Sequence, residues 1–502
     1  MRFNYIEKDK LPPLAWLVRI KKNNKLIEVF HGKMVECKHN FFVAGVWNGD
    51  FNKGDFVNAS FSCCTGGIIS GDGNEKRITF STPNHLKDAL FSIMESDTLL
   101  ISNSPAFLLS FSKNNFDINY YNYEIDFNSL CFGVRRYIKK TVLRNGKTMR
   151  IHRCCNLHVN PYLSCKEEIR YSKPLIETYS YYLNFINTTL SEIKKNANDK
   201  ERMINYKFVA TISKGYDATC ASVLALKNGC DTVLTFNSPE RYKEDSGEDI
   251  AKLLGFKKII CGNGSDYLNN SDLWEAESAS NGDVGSLVAF NTFENYYKNS
   301  ILVMGLEGDC IWNIHEEGNN ELDLLHLSLS ANYNPEHYLR TNTIQLNVPL
   351  IGGDNWPSIS VISNSQEMKP FSVGGNYDRP IPRRVVEEAG IPRNLFGVSK
   401  RGAGFSMHFD TLKRAKKKMS KVSYSSLMEF RKSIKRNKYL LIKKWIIFIY
   451  NMLPVYINYL FSKFHINFAV KTKQNYMSSP FASLLILWGM DVMIKKYNNA
   501  LK

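Results

Sequence analysis

The chain has 502 residues and a mass of 57.6 kDa, with 44% hydrophobic and 23% charged residues. At roughly 100–200 residues per domain this predicts two to four domains, and the composition excludes a mainly disordered chain, a collagen-like repeat and a small disulfide-stapled toxin. A mean hydropathy of −0.29 excludes a polytopic membrane protein, and a formal charge of +17 calls for an anionic partner, whether nucleic acid, nucleotide or acidic lipid.

Residues 1 to about 165 read as β-rich. FFVAGVW, GGIIS, RITFST and TLLISNS alternate with Gly, Asn and Asp punctuation. One helix is predicted after Pro83, in NHLKDALFSIME. The opening MRFNYIEKDKLPP has no apolar run, so no signal peptide is expected. Eleven cysteines include no C-x-x-C, and the pairs Cys63-Cys64 and Cys154-Cys155 lack zinc-finger spacing. Most are expected to be reduced, buried thiols in a cytosolic protein.

From about 200 the pattern changes. INYKFVATI, ending at Ile212, reads as a strand, SKGYD as a loop, and ATCASVLALKNG as a helix closed by Gly229. DTVLTFN, SGEDIAKLLG (ending at Gly255) and KKIICG follow as strand, helix and strand. This β-α-β-α-β order marks a parallel, doubly wound sheet, whose ligands bind at the carboxyl ends of the strands. Residues 265–300 are expected to be largely helical, in SLVAFNTFENYYKN above all. ILVMG (301–305) reads as a short buried strand that delivers LEGD to the same end of the sheet. A helix is predicted around RRVVEEAG, then the loop NLFGVSKRGAGFS, and a closing apolar helix FASLLILWGMDVMIKKY.

Charge is concentrated near the carboxyl end. Lys413 to Lys444 hold thirteen Lys or Arg against one acid, Glu429, which is +12 of the +17. The main domains are therefore only mildly basic, and nucleic acid is not the expected partner. WIIFIYNMLPVYINYLF (445–461) sits at the lower length limit for spanning a bilayer. It reads either as a membrane-interface segment or, preferred, as a buried helix pair broken at Pro454. Residues 413–463 are the segment expected to touch an anionic membrane, with a cytoplasmic protein lying against its inner face.

The loop Ser213-Lys214-Gly215-Tyr216-Asp217-Ala218-Thr219 lies between a predicted strand and helix. Backbone N–H groups at a helix start bind anions. Gly215 permits close approach, and Ser213 and Thr219 offer hydroxyls. Asp217 is itself anionic, so it suits a phosphate cradle by holding Mg²⁺. The alternative is an ordinary βα turn with Asp217 near a helix start as a capping residue.

No G-x-x-x-x-G-K-[ST] is present. The loop resembles the S-G-G-x-D-S loop of N-type ATP pyrophosphatases, and within them the asparagine synthetase-like family. Val303-Met304-Gly305-Leu306-Glu307-Gly308-Asp309 is similar to that family's second acidic motif. Asp245, Glu248 and Asp249 fall near its acidic position after the second strand. Phe396 to Phe405 resembles its R-x-K-x-G-F segment. The resemblance covers about 200–410. It implies that Ser213, Gly215, Asp217 and Thr219 cradle pyrophosphate, with Phe236, Gly305 and Glu307 also in the nucleotide-binding set. It further implies that Asp217 and Asp309 share Mg²⁺, and that Lys400 stabilises charge building on the reacting adduct. Lys214 stands at the first glycine of S-G-G and Ala218 at its final serine; Lys214 would add positive charge beside the leaving pyrophosphate. VLRNGKTMRIHRCCNLHV resembles the end of the family's amino-terminal glutaminase domain, but residue 2 is Arg2 and the first cysteine is Cys37. An amino-terminal cysteine nucleophile is missing.

The expected architecture is therefore α/β. A degenerate Ntn-hydrolase-like β sandwich (1–165) precedes a parallel ATP-pyrophosphatase domain (170–410) and a basic helical extension (411–502). The expected activity is ATP- and Mg²⁺-dependent amide formation from a carboxylate and an amine or ammonia through an acyl-adenylate, without glutaminase chemistry. The alternatives are a nucleotide-binding pseudoenzyme or regulatory protein, and an RNA-modifying ATP pyrophosphatase. Two carboxylates at one point repel unless a cation lies between them. Neutralising Asp217 or Asp309 is thus expected to leave the metal-free fold intact or slightly more stable.

Overall fold

The structure, a computed structural model, describes residues 1–71, 76–170, 174–238, 245–282, 287–314, 335–375, 377–398, 412–435, 437–463 and 479–502. Among these the chain is mixed α/β, with three sheets and a set of carboxyl-terminal helices.

Two sheets lie within residues 2–169. One runs in the order Arg2–Glu7, Leu26–His31, Trp16–Lys21, Thr98–Ser102, Leu90–Glu95, Thr148–His152, Lys140–Val142. The other runs Cys165–Ile169, Cys155–Val159, Arg77–Ser81, Ser62–Ser70, Phe41–Trp47, Glu36–Cys37. All neighbours are antiparallel except the first pair of the first sheet. Leu26–His31 alternates buried and half-buried residues, the period-two pattern of a strand with one face inward. The inner faces share one core, in which the Trp16 ring meets Phe42 edge-on at 5.0 Å and Phe80 at 6.3 Å. The eleven cysteines are all free thiols, and Cys63, Cys64, Cys154, Cys155, Cys220 and Cys230 are buried.

The helix expected after Pro83 is instead a turn followed by the strand Leu90–Glu95. Leu90, Phe91 and Ile93 are all buried, because the strand is covered on both sides. That two-sided burial gives an apolar run with no clean strand alternation, and pairing with Thr98–Ser102 decides the conformation.

The third sheet is wholly parallel. Its strands in chain order are β1 (Lys207–Thr211), β2 (Thr232–Ser238), β3 (Lys258–Asn263), β4 (Ser300–Met304) and β5 (Ile344–Asn347), arranged β3-β2-β1-β4-β5. Phe208 and Ala210 pack into one core and Val209 into another; Ile301 and Val303 divide in the same way from Leu302 and Met304. Burial on both faces is what reads as a continuous apolar run in the sequence. The core of the first face includes the long helix α1 (Tyr179–Ala197), whose Tyr182, Ile186, Leu190 and Ile193 form a three- and four-spaced stripe. Thr178 caps it, accepting from the Tyr181 N–H at 3.2 Å. α2 (Tyr216–Lys227) follows β1 and α3 (Glu248–Leu254) follows β2, ended by Gly229 and Gly255 at φ of +80° and +82°, a region where glycine costs least.

Residues 287–299 are not one helix. A 3₁₀ segment, Val288–Phe293, passes into the single α turn Glu294–Tyr297, which accounts for the mixed spacing of three and four. α4 (Pro380–Glu388) is where RRVVEEAG predicts a helix.

Among the described residues four helices lie towards the carboxyl end: α5 (Leu412–Lys418), α6 (Lys421–Ser433), α7 (Lys438–Lys463) and α8 (Pro480–Leu501). α7 runs unbroken through Pro454, and many of its apolar side chains are exposed, so the expected buried, Pro-broken pair is not formed. Among the described residues no helix is long and apolar enough to cross a membrane. α8 is the opposite case. Its Ile486, Met490 and Tyr497 belong to the core of the amino-terminal sheets, and its Leu485 and Trp488 to the core beneath the parallel sheet. Tyr497 stacks on Phe107 at 5.0 Å, and Gly489 lies against the backbone of Ala276 and Ser280.

One buried carboxyl reports on this junction. Glu336 accepts from Ser104 Oγ at 2.5 Å and from Tyr497 Oη at 2.8 Å. Burial raises its pKa to about 7, and the two hydroxyls only partly offset this. The unfolded carboxyl ionises first, near about 4.3. Stability from this group is therefore full below that pH and falls as pH rises through about 7. Glu336→Gln should remove this slope and, at pH above the window, gain on the order of a few kcal/mol over the wild type. Thermal unfolding of both proteins across the window measures it; parallel pH profiles would show that Glu336 does not titrate in the fold.

Candidate functional site

Sheet order places the candidate site. β1 and β4 are neighbours at the middle of the parallel sheet, and the chain order reverses between them. At such a reversal the loops leaving the two carboxyl ends part and leave a crevice. The loop from β1 is Ser213–Gly215, and that from β4 carries Gly305, Glu307 and Asp309. The structure thus brings together two motifs about 90 residues apart.

The first loop is self-bonded. Gly215 N–H donates to Ser213 Oγ at 3.1 Å. Thr219 Oγ1 faces the carbonyls of Ser213 at 2.6 Å and Gly215 at 2.7 Å, so its one proton serves the loop itself. Gly215 is the N-cap of α2 and offers no side-chain acceptor to the helix's first N–H groups. That is the arrangement in which a helix start receives an anion. Lys214 is half-buried; its N–H donates to the Asp245 carbonyl at 3.3 Å and its carbonyl accepts from Gly397 N–H at 2.8 Å. The Phe396-Gly397 segment is thereby docked onto the loop.

The second loop touches the first. A β-carbon on Gly305 would lie 2.2 Å from the Asp217 backbone carbonyl, and one on Gly308 would lie 2.3 Å from Asp217 Cγ. Only glycine allows these approaches. Glu307 sits at φ +74° and caps the short helix Gly308–Ile311. Its buried carboxylate is ion-paired with Lys87 of the amino-terminal half. Arg153 fixes that lysine's backbone, donating from Nη1 to the carbonyls of Leu86 at 2.6 Å and Lys87 at 2.8 Å. A cavity of about 60 Å³ beside Lys87 is also lined by Asp88, Arg153, Asn281 and Gln345. Burial raises the Asp88 carboxyl to about 7 despite the charge of Arg153.

The cation at the crevice is Arg379. Its Nη1 donates to Asp217 Oδ2, and its side chain is almost wholly buried. Burial works against its charge, but Asp217 and then Asp309 more than offset this, so its pKa is raised. Arg379 also lies 5.2 Å from the Tyr377 ring, and Tyr377 Oη accepts from Tyr216 N–H at 3.5 Å. Arg383, one turn along α4, bonds Tyr216 Oη and lies 4.9 Å from its ring. The expected stabilisation on neutralising a carboxylate does not follow, because a guanidinium already answers the pair's repulsion.

Magnesium bound with a nucleotide takes one or two carboxylates, several waters and phosphate oxygens. The two loops supply two carboxylates, Asp217 and Asp309. Among the described residues no group of three or more His, Cys, Asp or Glu could hold a metal by itself. Asp217, one of these two carboxylates, is already engaged by Arg379.

The remaining sequence-derived residues are dispersed. Phe236 is buried in β2, its ring 4.9 Å from Phe290 and 5.0 Å from Phe293. Glu248 is half-buried and paired with Lys252 at 2.7 Å; Asp245 is buried. Lys400 lies outside the described residues. Arg379, Arg383, Tyr377 and Lys87 are absent from the sequence-derived set. The run Arg379-Pro-Ile-Pro-Arg383-Arg384 was the available signal for two of them.

Asp217→Asn should leave the Arg379 guanidinium buried with a weaker counter-charge. The expected cost without metal is about 1–3 kcal/mol, below the ~3–5 of a fully buried pair because Asp217 is partly exposed. The double variant with Arg379→Met should cost less than the sum of the singles. Thermal unfolding in chelator measures both; a more stable Asp217→Asn would mean that carboxylate repulsion outweighs the ion pair.

Compared with known proteins, the chain matches no family model and no curated protein.

Proposed function

We propose that the chain is an ATP-dependent amide-forming ligase of the asparagine synthetase-like kind. The observation that carries this reading is the contact of the two loops at the sheet's reversal point, each bearing a carboxylate, around one buried arginine. A substrate carboxylate would attack the α-phosphorus of ATP, the bond to the β-phosphate oxygen would break, and pyrophosphate would leave. The acyl-adenylate would then lose AMP to an attacking amine or ammonia.

In this reading the start of α2 and the side chain of Lys214 receive the pyrophosphate's charge. Mg²⁺, held by Asp217 and Asp309, would neutralise the leaving group. Arg379 orients Asp217, and Tyr377 fixes the first turn of α2. The two sheets of residues 2–169 take the part of a degenerate glutaminase-like sandwich. Residue 2 is Arg2, exposed on the first strand, and in this reading the nitrogen comes from free ammonia, a separate subunit or an amine-bearing substrate.

One observation favours a second reading, a nucleotide-binding pseudoenzyme: the Arg379–Asp217 ion pair already satisfies one of the two carboxylates. An RNA-modifying pyrophosphatase ranks third, since no C-x-x-C is present.

Pyrophosphate release from ATP and Mg²⁺ with pooled carboxylates and amines is the direct test. The expected outcome is release that depends on both pools and is lost in Asp309→Asn. ATP binding without release in any pool would select the pseudoenzyme. Incubation with glutamine should liberate no ammonia; if it does, a different nucleophile is present.

A further inference from the structure

α7 presents an apolar stripe to solvent. Ile442, Ile446, Ile449, Leu453 and Tyr456 follow one another at spacings of four, three, four and three, so they share one helix face. Each is more than half exposed; Ile446 reaches 62%. From Ile442 to Tyr456, fourteen steps of about 1.5 Å rise give the stripe a length of roughly 21 Å. Contiguous exposed apolar surface of this kind marks an interaction site. The start of the helix is moored on the amino-terminal half: Asn437 N–H donates to Asn119 Oδ1 at 2.9 Å, and Lys444 Nζ to Asn122 Oδ1 at 2.6 Å.

We propose that α7 lies in the plane of a membrane interface and attaches the protein to an anionic lipid surface. Charge selects this occupant. The stripe follows directly on the run from Lys413 to Lys444, with its thirteen basic residues and single acid. Such a run is drawn to anionic headgroups. A second copy of the chain would bring an identical basic run against it and be repelled. Tyr439 and Tyr456, both exposed, place rings with polar tips at either end of the stripe, as interfacial aromatics do. Lys443, exposed beside the stripe, has a long stem that lets its ammonium reach headgroups while the stem stays apolar. No helix among the described residues is long and apolar enough to span, so the attachment is peripheral. This inference stands apart from the reading of the nucleotide site.

The test is co-sedimentation of the full chain with phosphatidylcholine vesicles, with and without phosphatidylglycerol, at low and high salt. At least about tenfold more protein should bind the acidic vesicles, since each basic residue at such a surface contributes about 1 kcal/mol. Binding should fall at high salt. The triple variant Ile446→Ser, Ile449→Ser, Leu453→Ser changes exposed side chains only, so its thermal midpoint should hold while its vesicle binding is lost. Equal recovery from both vesicle types, or full binding by the triple variant, would overturn the proposal. So would gel filtration showing a wild-type dimer that the triple variant splits, which would give the stripe to a second copy. Salt sensitivity of the wild type and of Lys443→Gln provides the reading if the triple variant misfolds.

Discussion

Two glycines set how closely the halves of the candidate site can meet. At Gly305 and Gly308 the backbone leaving β4 runs against Asp217 so tightly that a single methyl group would collide with the Asp217 backbone carbonyl or carboxyl. Everything at the crevice follows from that approach. It brings the Asp217 carboxylate to the motif that carries Asp309, it makes a cation necessary, and Arg379, at the cap just before α4, meets the need. The same closeness turns Glu307 inward through a left-handed backbone, where Lys87 neutralises it. Three carboxylates, two cations and two glycines thus form one electrostatic unit at the reversal of the sheet.

That unit spans the chain. Lys87 reaches it from the turn that precedes Leu90–Glu95, a turn held by a buried arginine. α8 reinforces the junction by filling the cores on both sides. Trp488 and Tyr497, both buried, sit in different cores yet less than three helical turns apart. The amino-terminal sheets therefore share structure with the site. The exposed basic helices are built on the opposite principle, with charge and apolar surface turned to solvent.

How much of this was legible depended on distance along the chain. β1, β2 and β4 could be read because central parallel strands are apolar runs, and the edge strand β3 because its short run KKIICG ends at a glycine; such signals are local. The motif loops were legible for the same reason, each lying at the end of such a run. Arg379 was not, because its partner Asp217 is 162 residues away, and Lys87 was not, at 220 residues from Glu307. Residues 84–95 have the sequence of a helix yet form a turn and a strand, since burial on both faces erases alternation. α1 lay outside the elements read, although its stripe is present in the sequence. α7 was read as buried because composition reports that a segment is apolar and not which surface it meets.

The docking of α8 also has a consequence in time. Ser110 bonds Asn498 across 388 residues, so the helix that completes the amino-terminal core is made long after that core's strands. At a synthesis rate of 5–20 residues per second the delay is roughly 20–80 s. During that interval the apolar faces that later hold Met490, Met493 and Tyr497 have no native cover. The nascent protein must therefore pass through a stage in which two nearly finished halves are open along a shared seam.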